Sequence, residues 1–77
     1  MDLILYTRTQ CPLCRQAEAL LNEAGMASAY REQDVDLDLD LLRRYGDKVP
    51  VVMNEDTGET LKWPFTASQV RRLAEME

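Results

Sequence analysis

An apolar run of strand length, Leu3-Ile4-Leu5-Tyr6, passes through the polar stretch Thr7-Arg8-Thr9-Gln10 into Cys11-Pro12-Leu13-Cys14. From Leu13 onward apolar residues recur at Ala17, Leu20, Leu21 and Ala24, the spacing of one helix face. Strand therefore turns into helix at the two cysteines, the only two in the chain. Proline suits the first helical position, where its missing N–H costs nothing. With Pro12 there, Cys11 becomes the N-cap and unpaired backbone N–H groups point toward its sulfur. Such a terminus favours an anion, and a thiolate is one.

The remaining elements follow in order. Gly25 stops the first helix near Ala24, with Met26 placed to pack back on its last turn. Ser28 to Val35 reads as a strand, with Ala29, Tyr30 and Val35 as its apolar content. Two strands separated by a helix imply a parallel βαβ unit. Asp36 to Tyr45 is a short helix capped by Asp36 or Asp38 and closed by Gly46, with Leu39, Leu42 and Tyr45 on one face. Val49 to Met53 is a further buried strand, joined through the polar turn Asn54–Gly58 to Glu59–Trp63 as an antiparallel hairpin. Thr66 and Gln69 form a capping box, Phe65 and Val70 a hydrophobic staple, and Ala67, Val70, Leu73 and Ala74 the buried face of the last helix. The pattern is a single α/β domain over residues 1–77 with the order β-α-β-α-β-β-α.

Charge narrows the partners. A net charge of −5 argues against nucleic acid and anionic membranes, both of which select basic faces. No run reaches membrane-spanning length. Asp2 stands where a signal peptide would carry positive charge, so no export signal is expected and a cytoplasmic location follows. In that compartment thiols are held reduced, and a Cys-x-x-Cys pair there points to redox or metal chemistry rather than a permanent brace. A structural bridge closing so short a loop would contribute only about 2 kcal/mol. A zinc site would need a partner chain, because the sequence has no His and no further Cys.

As a dithiol couple, the two cysteines divide the work by position. A thiol with an ordinary pKa near ~8.5 is about 3% thiolate at pH 7, whereas one lowered to ~5.5 is almost all thiolate. The gain in thiolate is nearly offset by lower intrinsic nucleophilicity, so the larger effect is that a stabilised thiolate leaves a mixed disulfide more readily. Cys11 is thus the attacking and leaving sulfur. Cys14, one turn in on the side of Ala17 and Leu21, is the more buried resolving thiol. Arg8 either adds positive charge beside Cys11 or is an ordinary solvated loop arginine.

Two further motifs bear on the site. Pro50 interrupts an apolar strand that must pair within a sheet; a cis Val49–Pro50 bond facing the cysteines would end the pairing and open the Val49 backbone to an extended substrate. The series Asp34, Asp36, Asp38, Asp40 resembles the start of a calcium loop. It has Leu39 where the turn needs Gly and Tyr45 where a bidentate Glu is needed, so a solvated acidic loop and helix start is the reading.

Tyr6 to Cys14, followed by Asp34-Val35-Asp36, by Tyr45 to Val51 and by a short hairpin, resembles the glutaredoxins over nearly the whole chain, and in particular the small bacterial glutaredoxin-like family. The resemblance implies a thioredoxin fold with three helices and a four-stranded mixed sheet in the order 2-1-3-4. It also implies Cys11 as nucleophile, Cys14 as resolving thiol and Pro50 as the cis-proline. With the readings above, Cys11–Cys14 is the candidate redox disulfide, and Arg8, Val49 and Pro50 are the candidate substrate-binding residues. Leu13 stands where glutathione-using members carry an aromatic residue. Trp63-Pro64-Phe65-Thr66 stands where they carry a Gly-Gly turn. The expected activity is thiol-disulfide exchange on disulfide-bearing proteins or small thiols, by a monomer with no bound cofactor. Glutathione is at most a weak co-substrate, and a reductase or glutathione is the electron donor. The competing reading is a binding or adaptor module that keeps the fold and the cysteines without turnover.

Overall fold

The first strand, β1 (Leu3–Thr7), is buried along its whole length, which requires cover on both faces of the sheet. A computed structural model, describing residues 3–75, shows how this is met. Alternate side chains of β1 divide between two cores. Leu3 and Leu5 pack with Ala17 and Leu21 of helix α1 (Pro12–Glu23) and with Val70, Leu73 and Ala74 of helix α3 (Ala67–Ala74). Ile4 and Tyr6 pack on the other face with Val35, Leu41, Leu42 and Tyr45, the last three from helix α2 (Leu39–Tyr45). The chain is thus three layers, with α1 and α3 on one side of the sheet and α2 on the other.

The sheet has four strands in the order β2-β1-β3-β4, where β2 is Tyr30–Asp34, β3 Val51–Asn54 and β4 Thr60–Lys62. β1 runs parallel to β2, with Leu3 opposite Tyr30 and Thr7 opposite Asp34, and antiparallel to β3, which pairs antiparallel with β4. Val51 and Val52 continue the division of the core, one to each face. Order, mixed character and three helices are those the sequence led us to expect.

Local chemistry sets the boundaries. α1 ends in a Schellman motif: the Met26 N–H donates to the Leu21 carbonyl at 3.0 Å and the Gly25 N–H to that of Asn22 at 3.1 Å. Gly25 sits at φ +77°, a conformation glycine adopts without a Cβ penalty. α3 opens on the expected capping box, in which Gln69 N donates to Thr66 Oγ1 (3.2 Å) and Thr66 N to Gln69 Oε1 (2.8 Å). The β3–β4 turn is organised by Asn54, fully buried, whose side-chain oxygen accepts from the amides of Asp56 (2.8 Å) and Thr57 (3.3 Å). Its amide donates at 2.7 Å to the Leu73 carbonyl, tying the turn to α3.

Three expectations are corrected. The second strand ends at Asp34, before Val35, because the Asp34 carboxylate accepts the Asp36 amide at 2.8 Å and turns the chain into a 3-10 turn, Val35–Leu37. The third strand begins at Val51, since Pro50 has no N–H to give the ladder. In α2, Leu39 is 60% exposed and the buried side is carried by Leu41, Leu42 and Tyr45. Asp38, the cap, accepts from the amides of Asp40 and Leu41, so Leu39 is the first helical residue and turns away from the sheet. The peptide bonds Val49–Pro50 and Trp63–Pro64 are both cis; the first was expected, the second was not.

Candidate active site

The β1–α1 junction places Cys11 at the N-cap of α1 in extended conformation (φ −141°, ψ 93°), with Pro12 following as the first helical residue. The Cys11 sulfur accepts the Cys14 N–H at 3.1 Å, and the Cys11 carbonyl accepts the amides of Cys14 and Arg15 at 3.0 and 3.3 Å. Cys11 and Cys14 are joined in a disulfide with Cα atoms 5.1 Å apart. Burial separates the two sulfurs: Cys14 is fully buried and faces the core with Ala17, while Cys11 is half-buried and opens on a surface cleft. Leu13 between them is 43% exposed.

The cleft, about 520 Å³, is lined by Arg8, Thr9, Gln10 and Cys11 from the β1–α1 loop, by Asp36, and by Gly46, Asp47 and Val49 from the α2–β3 loop. Arg8 is held from two sides. Its Nε and Nη2 lie 3.0 and 2.9 Å from Asp36 Oδ1, and its Nη1 donates to the Gly46 carbonyl at 3.2 Å. Thr9 Oγ1 donates to Asp34 Oδ2 at 3.0 Å, tying the same loop to the end of β2. Gly46 is helical in conformation, and a Cβ there would fall against the Leu42 carbonyl oxygen, with Leu42 Cδ1 only 2.9 Å away. Its glycine therefore permits a close approach rather than a left-handed turn.

Of the residues singled out in the sequence, Cys11, Arg8 and Val49 meet at the cleft. Pro50 is buried and does not line it. The Val49 N–H donates to the Tyr45 carbonyl at 3.0 Å, so that donor is committed internally. Asp36, Gly46 and Asp47 were not foreseen at the site. A signal for Asp36 was present: in a parallel βαβ unit β1 and β2 end side by side, here with Thr7 opposite Asp34, so residues just past the two ends are neighbours. Three members of the acidic series have distinct structural partners, and Asp34 has a second in Thr9. Asp34 caps the 3-10 turn, Asp36 binds Arg8, and Asp38 caps α2. Among the described residues no group of three or more His, Cys, Asp or Glu side chains is placed to hold a metal ion.

A Cys-x-x-Cys disulfide at the start of the first helix, on a β2-β1-β3-β4 mixed sheet with helices on both faces, defines the thioredoxin-like class. Within it the chain belongs to the family described as Glutaredoxin-like domain (DUF836), whose model matches residues 2–75. It is similar to Northeast Structural Genomics target protein XcR50 from X. campestris. The X-ray structure of that protein matches with 38% identity and a TM-score of 0.82 over 96% of each chain. Its solution structure matches with 39% identity and a TM-score of 0.81 over 97% of this chain and 94% of that one. No curated protein matches the chain.

Proposed function

We propose that the protein is a thiol-disulfide oxidoreductase that cycles its Cys11–Cys14 pair between dithiol and disulfide. The observation that carries this reading is the asymmetry of the pair, with one sulfur at a helix N-terminus opening on a cleft and its partner buried one turn behind. In the reduced protein the Cys11 thiolate attacks a substrate disulfide, forming a Cys11–substrate disulfide and releasing the first substrate thiolate, which takes up a proton. Cys14 then loses its proton and attacks the Cys11 sulfur, so that the Cys11–Cys14 bond forms and the second substrate thiol departs. Two electrons pass from protein to substrate, and an external thiol or a reductase returns them. The N–H groups at the start of α1 favour the Cys11 thiolate, which raises the fraction ready to attack and lets Cys11 leave readily when an external thiol re-reduces the pair through a mixed disulfide.

A substrate segment in the cleft would lie beside Arg8 and Val49. With the Val49 N–H given to Tyr45, backbone pairing would run through the Val49 carbonyl. The substrates are proteins or small molecules carrying a disulfide, the working form is a monomer, and the setting is the reducing cytoplasm. No helix among the described residues is long and apolar enough to cross a membrane.

Alkylation of the reduced protein with mass mapping tests the roles. Cys11 should be modified at least about tenfold faster than Cys14, because it is both more exposed and more thiolate in character. The Cys14→Ser protein should accumulate a mixed disulfide at Cys11 when given an excess of a small disulfide. Modification of Cys14 first, or no trapped adduct at Cys11, would overturn the assignment.

A further inference from the structure

Of the charged side chains lining the cleft, one is a guanidinium, Arg8, and two are carboxylates, Asp36 and Asp47. The guanidinium is already engaged at all three nitrogens, by Asp36 and by the Gly46 carbonyl. Asp47 has no ion-pair partner among the described residues. An incoming anion would therefore have to take Arg8 from Asp36 while standing near two carboxylates. An incoming cation meets Asp47 unopposed, together with the Asp36 oxygen, Oδ2, that Arg8 does not use. Lys48, next in sequence, is exposed and does not line the cleft.

Resting on the redox reading above, we propose that this cleft selects disulfides whose cysteine is flanked by cationic residues and disfavours anionic thiols, with Asp36 and Asp47 as specificity-determining residues. Asp36 acts by neutralising Arg8 and holding it against Gly46, Asp47 by direct attraction. The chemistry at sulfur is unchanged. The reduced protein gives two electrons to the peptide disulfide, the Cys11–Cys14 bond forms, and two peptide thiols are released.

The test uses three peptide homodisulfides of one length, with Lys, Ser or Glu on both sides of the cysteine. Each is reacted in single turnover with the fully reduced protein and, separately, with dithiothreitol. Dividing the protein's rate by the dithiothreitol rate removes the effect of the flanking charge on the peptide's own thiol. The normalised Lys-to-Glu rate ratio should be about five- to thirtyfold at low salt. It should fall to within about twofold of unity near 1 M salt, where charges are screened beyond about 3 Å. Asp47→Asn should lower the low-salt ratio severalfold. Asp36→Asn, which releases Arg8, should bring it to unity or below, and Arg8→Gln should raise it. Because each ratio is taken within one variant, a general change in thiol reactivity cancels. If Asp36→Asn does not fold, Asp47→Asn on its exposed loop decides alone. A low-salt ratio within twofold of unity in the wild-type protein, or one unmoved by the substitutions that fold, overturns the proposal and leaves the redox reading standing. If dithiothreitol reduces all three peptides and the protein reduces none, the redox reading fails and the proposal with it.

Discussion

At the scale of single residues, the site depends on a glycine whose role is space. Gly46 closes α2 through its N–H to Leu42 (2.8 Å) and presents its carbonyl to Arg8 (3.2 Å), so one residue joins helix end and cleft. Any Cβ would meet the Leu42 carbonyl oxygen, which is backbone and cannot turn aside. Gly46→Ala should therefore destabilise the fold by about 1–3 kcal/mol, the usual range for overpacking. A urea titration measures this, and an unchanged midpoint would show that the helix end relaxes freely. Gly46 reads in the sequence only as a helix stop, since its closest neighbour, four residues back, is set by the helical path the chain holds there.

At the scale of elements, caps and seams set what each piece contributes. The capping box of α3 satisfies two terminal amides with its own side chains. Thr66→Ala should lower stability by about 1 kcal/mol, or roughly 4–8 °C in Tm for a domain of this size. Thr66→Asn, which can cap, should recover most of it, as thermal melts would show. The seam between α1 and β2 is of another kind. Glu18 of α1, paired with Arg15 at 3.0 Å, lies against Glu32 of β2. Partial desolvation, then the neighbouring Glu18 carboxylate, which a protonated Glu32 can hydrogen-bond and an ionised one repels, push the Glu32 carboxyl above its usual range. A carboxyl whose pKa is raised on folding holds its proton more tightly in the native state. Between its ordinary and raised values the native state binds more protons than the unfolded state, and stability falls as pH rises. Glu32→Gln should thus be more stable than wild type at pH 7, by less than ~0.5 kcal/mol because the residue is exposed and screened. That advantage should shrink at pH 4. A variant less stable at pH 7, or an advantage that grows on acidification, would contradict the sign.

Across the molecule, the proposed thiol exchange is expected to make little use of glutathione. A glutathione carboxylate bound at a helix start needs free N–H donors and a backbone open to close approach. Here the amides of Thr66 and Gln69 are given to the capping box, and Phe65 is buried in the core with Val70, its ring edge-on to Trp63 at 5.1 Å. Displacing a cap costs about 1 kcal/mol, roughly fivefold in affinity. The excess of carboxylates at the cleft opposes an anionic ligand as well. Calorimetric titration of the Cys14→Ser protein with glutathione should show no saturation below about 1 mM. Micromolar binding, with NMR shifts at Trp63 to Thr66, would return the protein to ordinary glutathione use.

The features legible in the amino-acid order are local. The N-cap cysteine, the Schellman stop at Gly25, the Thr66–Gln69 box and the two-sided burial of Leu3 to Tyr6 each depend on residues within about six positions, where chain geometry leaves few alternatives. The sheet order followed from family resemblance, and the cis Val49–Pro50 bond from the conflict of a proline with a buried strand read beside the cysteines. The remainder depends on contacts between distant parts of the chain. Arg8 meets Asp36 across 28 positions and Gly46 across 38, because parallel pairing of β1 with β2 and the packing of α2 bring three loop ends together. Which leucine of α2 faces the sheet was likewise settled by where Asp38 starts the helix, since a shift of one residue turns the buried face by about 100°. The charge of the cleft beside Cys11 is a sum over those distant loops, and no window of sequence contains it.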